Sequence, residues 1–120
     1  MNEDRLYLTH IHEAISDIDD FVIDGRDAFL ASKLIQSAVL YKLQTLAEST
    51  QRLSDTLKAT RPEVDWRAIR GLRNVLAHDY TSINLEEIWN IVERDLPQLK
   101  TAVDTLLNLP DQDEGDSPPG

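Results

Sequence analysis

Arg73 and His78 stand five positions apart in the stretch Trp66-Arg67-Ala68-Ile69-Arg70-Gly71-Leu72-Arg73-Asn74-Val75-Leu76-Ala77-His78-Asp79-Tyr80. Both side chains suit phosphodiester chemistry. Histidine titrates near neutrality and can give or take a proton there. Arginine stays charged and offers a planar fork to phosphate oxygens. Neither needs a metal ion. Arg67 and Arg70, with Arg61 just upstream, concentrate positive charge in a chain of formal net charge -10. That net charge alone argues against a nucleic-acid binder, because polyanion binding relies on Lys and Arg. RNA contact would have to use this local patch against an unfavourable overall field.

On a helix, Arg67, Arg70 and Asn74 face away from the stripe begun by Trp66. Asn74 and His78, four apart, are neighbours if the helix continues that far. Arg73 lies at the stripe's edge, about 140° from His78. One straight helix does not aim both at one spot, so the helix end or a second chain must close the gap. Attack by a 2′-hydroxyl usually calls for a base, an acid and stabilisation of phosphoryl charge. One chain supplies one well-placed histidine. A symmetric homodimer joining two motifs would supply two histidines and two arginines, a chemical reason to expect a dimer. A plainer reading stands beside this one. Arg and His near a helix C-terminus meet the helix dipole favourably, Tyr80 is a half-buried packing residue, and Gly71 allows close helix packing.

Other candidates are weaker. His10 and His12 are two apart on an expected helix and point to different faces, which favours solvated roles over a metal pair. Asp17, Asp19 and Asp20 lack the Gly turn and terminal Glu of an EF-hand loop, so they read as a charged helix face. The sequence contains no phosphate-cradling Gly loop. With no cysteine, a disulfide framework and thiolate metal sites are excluded. No metal or cofactor is expected.

The elements that must position the motif are helical. The chain has 120 residues, 41% of them hydrophobic, with 4 Gly and 5 Pro. That is the size of one domain with one core. Four amphipathic segments follow from apolar spacing. The first spans about residues 3–23 (Leu8, Ile11, Ile15, Ile18, Val22) and stops at Asp24-Gly25. The second spans about 27–58 (Ile35, Val39, Leu43, Leu46, Leu53, Leu57), long enough to bend or break, and ends at Thr60-Arg61-Pro62. The third spans about 65–78 (Trp66, Ile69, Leu72, Leu76). The fourth begins at Asn84, in a capping box with Glu87, and carries Ile88, Val92, Leu96, Leu99, Val103 and Leu106. Pro97 predicts a kink within it. The expected architecture is an all-α bundle of four main helices over residues 1–109. Residues 110–120, with four acidic residues and no base, are expected to be a disordered tail. The acidic start Met1-Asn2-Glu3-Asp4 lacks the apolar region of a signal peptide. No apolar run approaches the ~20 residues needed to span a bilayer, so a soluble cytoplasmic protein is expected.

Taken together, Arg73-Asn74-Val75-Leu76-Ala77-His78-Asp79-Tyr80 resembles the R-x4-H-x-Y motif of HepT-type HEPN proteins. Trp66-Arg67-Ala68-Ile69-Arg70-Gly71-Leu72 resembles that family's W-x-x-I-x-G-[LM] lead-in. Leu85-Glu86-Glu87-Ile88-Trp89 and Asp95-Leu96-Pro97-Gln98-Leu99-Lys100 resemble its fourth helix, internal proline included. The likeness runs from Leu6 to Leu107. It implies an all-helical HEPN-like dimer whose R-x4-H residues, Arg73 and His78, line a cleft between protomers and cleave RNA without a metal. Asn74, Arg70 and Glu48 would support them. It also implies the toxin role in a type VII HEPN/MNT toxin–antitoxin pair. The partner would be an MNT-type nucleotidyltransferase antitoxin that moves AMP from ATP to Tyr80. One position departs from the pattern: Ala47-Glu48 stands where the family often has Gly-Glu. Glu48 is kept and is expected to pair with a motif arginine. A second reading remains open, a non-catalytic helical module that binds RNA or the nucleotidyltransferase without cutting.

Overall fold

The computed structural model describes residues 2–77 and 83–109. All regular structure there is helical: α1 (Asn2–Phe21), α2 (Arg26–Ala31), α3 (Lys33–Arg52), α4 (Asp55–Ala59), α5 (Trp66–Ala77), α6 (Leu85–Asn90) and α7 (Leu96–Asn108), with a π-helical stretch Ile91–Asp95 joining the last two. The four expected segments are all present. The C-terminal tail, His78, Asp79 and Tyr80 lie outside the described residues.

Each apolar stripe finds the core. Leu8, Ile11, Ile15 and Ile18 of α1 are buried against the interior, as are Val39, Leu43 and Leu46 of α3 and Ile69, Leu72 and Leu76 of α5. Ile88, Val92, Leu96, Leu99 and Val103 complete it from the last segment. Helix α3 is central: α1 packs along it most extensively and α5 covers another side, while α7 lies against α1. Polar pairs tie the same helices at their rims. Lys42 Nζ meets Asp17 Oδ2 at 2.9 Å, which holds the lysine above its ordinary range. His12 Nδ1 meets Asp104 Oδ1 at 2.9 Å. His12 keeps 45% of its side chain exposed and also clasps α1 to α7. Its partner is 92 residues away in sequence, beyond the reach of local spacing.

The long second segment breaks twice, each time at a serine. Ser32 is extended and ends α2, and its Oγ accepts the Ile35 N–H to cap α3. Gln36 Nε2 donates to the carbonyls of Phe29 and Leu30, satisfying the end of α2. Ser54 is likewise extended, and its Oγ accepts the Leu57 N–H to cap α4. Serine competes for local backbone groups in this way, which favours caps over helix interiors. Gly25, at φ 90, turns the chain between α1 and α2, a conformation that costs glycine little. Near the C-terminus, Pro97 has no N–H to give the Glu93 carbonyl. The helix answers by widening: Leu96 N–H bonds to the Ile91 carbonyl five residues back. The expected kink is thus a π-helical stretch, one of the known ways a helix absorbs a proline.

A buried carboxylate stabilises the second break. Asp4 is 7% exposed. Its Oδ1 accepts the Ser54 N–H at 2.8 Å and its Oδ2 accepts the Ser54 hydroxyl at 2.7 Å. Asp4→Ala leaves that amide without its partner, and a hydrogen bond to a charged group is worth about 1.5–3 kcal/mol. The variant is expected to lose about 2 kcal/mol in urea denaturation. A loss below about 0.5 kcal/mol would mean that water replaces the carboxylate there.

Candidate active site

Helix α5 carries the arginine-rich stretch. Asp65 starts it by accepting the Ala68 N–H at 3.0 Å. The Trp66 indole N–H donates to the carbonyls of Lys58 (3.1 Å) and Arg61 (3.0 Å), which fixes the helix start against the end of α4. With Ile69, Leu72 and Leu76 turned inward, Arg67, Arg70, Arg73 and Asn74 are left exposed. This is the face expected for Arg67, Arg70 and Asn74. Arg73, placed by its spacing at the stripe's edge, is also exposed. Its Nη1 donates to Gln51 Oε1 on α3 at 2.7 Å.

Two expectations change here. Glu48 is exposed, and no ion pair joins it to an arginine among the described residues; Arg73 is held from α3 by the neutral Gln51. One turn of helix separates Glu48 from Gln51. The close helix packing expected at Gly71 is not found among the described residues either: a Cβ placed there meets nothing of them within 4 Å. The Ala47 departure is accommodated, since Ala47 is fully buried in the core. The geometry between His78, Tyr80 and the arginines lies outside the described residues.

Beside Arg73 is a cleft that sequence reasoning missed. It measures about 430 Å³ and is lined by Thr50 and Gln51 of α3, Asp55 and Lys58 of α4, and Trp66, Arg67 and Arg70 of α5. Lys58 reaches it only because α3 ends at Arg52 and α4 starts afresh at Asp55. The available signal was Ser54-Asp55, a cap residue followed by a first-turn acid. Three cations against one carboxylate make the cleft locally positive in an acidic chain, as phosphate binding requires.

An all-α bundle with an arginine face and this motif defines a HEPN-like protein. The chain belongs to the HepT-like ribonuclease family: the family model "Ribonuclease HepT-like" matches residues 11–106. Among its relatives is "Putative RNase MJ0127" of Methanocaldococcus jannaschii, 34% identical over 112 residues that cover 92% of this chain and 93% of that one. Another is "Probable ribonuclease HepT" of Thermococcus cleftensis, 32% identical over 101 residues that cover 83% and 92%. No solved structure matches the chain. Among the described residues, no helix is long and apolar enough to cross a membrane.

Proposed function

We propose that this protein is a metal-independent endoribonuclease acting in the cytoplasm as the toxin of a type VII HEPN/MNT pair, with residues 1–109 forming the catalytic domain. The observation that carries the reading is the exposed arginine face of α5, with Arg73 fixed by Gln51 five positions before His78. In the reaction, a base takes the proton of an RNA 2′-hydroxyl. The oxygen attacks phosphorus, the bond to the 5′-oxygen breaks, and an acid protonates that leaving oxygen, leaving a 2′,3′-cyclic phosphate. His78 serves as base or acid, and its copy in a second protomer takes the other role. Arg73 stabilises the phosphoryl charge, with Arg70 and Asn74 beside it. Glu48, exposed on α3, supports the site through the field it adds and not through a pair with Arg73.

Tyr80 is the proposed acceptor of AMP from the nucleotidyltransferase antitoxin. The added phosphodiester would compete with RNA for the arginines by charge and by bulk. The net charge of -10 favours a second reading, a helical module that binds RNA or the nucleotidyltransferase without cutting. Expression in cells separates the two. Wild type is expected to arrest growth and His78→Ala to relieve the arrest; equal growth would favour the binding module. Co-expressed nucleotidyltransferase is expected to rescue wild type and to leave Tyr80→Phe toxic. Rescue of Tyr80→Phe would place the modification on another residue.

A further inference from the structure

We propose that the cleft between α3, α4 and α5 is a second RNA subsite, holding the nucleotide next to the one whose phosphodiester is cut. This deepens the ribonuclease reading above and rests on it. Trp66 contributes its ring. Its one polar atom, the indole N–H, is committed to the carbonyls of Lys58 and Arg61, so what remains for a ligand is an apolar face. Such a face stacks on any base, and stacking of this kind is sequence-tolerant. Arg67, Arg70 and Lys58 supply the phosphate contacts. Arg67 and Arg70 are exposed and one turn apart on α5, and Lys58 approaches from α4. The carboxylate of Asp55 repels phosphate, which biases the backbone of the RNA toward the α5 side of the cleft.

Two features tie the cleft to the catalytic motif. Gln51 both lines the cleft and accepts from Arg73, so the motif arginine is one hydrogen bond from the cleft wall. Arg70 lies one turn before Arg73 on the same helix, about 5 Å along its axis. A strand laid along the exposed side of α5 would meet both.

The test is binding of a 2′-O-methyl RNA hexanucleotide, which has no free 2′-hydroxyl to react and so reads the subsite apart from cleavage. Wild type is expected to bind it with a change in tryptophan emission that is lost in Trp66→Phe. Arg67→Gln and Lys58→Gln are each expected to weaken binding about tenfold. Each should also lower the salt dependence of log K by about 0.7, because one cation fewer meets a phosphate of the single strand. Trp66 helps to fix α5, so its variant is first checked by circular dichroism. If it does not fold, the exposed Arg67 and half-exposed Lys58 carry the test. Affinities within twofold of wild type for both charge variants would overturn the subsite. So would failure of the wild type to bind the hexanucleotide, or free AMP competing as well as the oligonucleotide, which would make this a mononucleotide pocket. The ribonuclease reading fails separately, if unmodified RNA is left uncut by wild type while these binding effects persist.

Discussion

RNA cleavage by His78→Ala is expected to fall about 10²–10⁴-fold below wild type, the usual contribution of a positioned proton-transfer group. Arg73→Ala is expected to fall by about 10²–10³, the scale for removing one donor to developing charge. Both should hold in EDTA, because no step above uses a metal, and RNA carrying 2′-deoxy at the cut position should resist wild type. The His78 variant also tests whether the site is shared between protomers. If the two histidines of a dimer divide the proton transfers, a mixed dimer of wild type and His78→Ala lacks either the base or the acid. Exchanging excess His78→Ala subunits into wild type should then lower the activity of the wild-type chains by about 10-fold or more. Dimers by light scattering whose wild-type chains keep full activity after the exchange would show that each chain acts alone. Activity lost in EDTA and restored by Mg²⁺ would remove the mechanism altogether. Arg73 is exposed and bonded to Gln51 at 2.7 Å, so its loss costs little core packing, and an activity change can be read as chemistry once the helical spectrum is shown to be unchanged.

The bundle was legible because its helices are amphipathic with a regular period. Ile11, Ile15 and Ile18 repeat at steps that place them on one face, and that face is fully buried. Asn84 was legible as a cap for a similar reason: its Oδ1 accepts the N–H groups of Glu86 and Glu87, and these partners are local. Breaks within the second segment were harder to place. Ser32 precedes the stripe that begins at Ile35, Ser54 sits between Leu53 and Leu57 of that stripe, and what fixes the second break is Asp4, 50 residues earlier. No periodicity carries such a contact. The candidate site divides the same way. The exposure of Arg67, Arg70 and Asn74 followed from the wheel. The pairing of Arg73 with Gln51 and the cleft wall supplied by Lys58 depend on how α3, α4 and α5 meet.

The same packing makes one core substitution far more costly than its apparent twin. Leu43 and Leu34 both lie on α3, but Leu43 is 0% exposed and Leu34 is 81% exposed. Leu43 points from the central helix α3 into the core, against which α1 and α5 pack. Truncation to alanine removes buried methyl groups and leaves a cavity that rigid neighbours only partly fill, typically at a cost of about 2–5 kcal/mol. For a domain of this size the whole stability is about 5–15 kcal/mol, so Leu43→Ala should take away a large share of it. A loss near 3 kcal/mol corresponds to a fall in Tm of roughly 10–20 °C. Leu34→Ala should change stability by no more than about 0.5 kcal/mol, as for other surface positions. The pair is measured by thermal denaturation at several protein concentrations. A small effect at Leu43 would mean that the α1–α3 interface closes over the cavity. A large, concentration-dependent effect at Leu34 would mean that a second copy covers this face in solution, because only association makes stability depend on protein concentration.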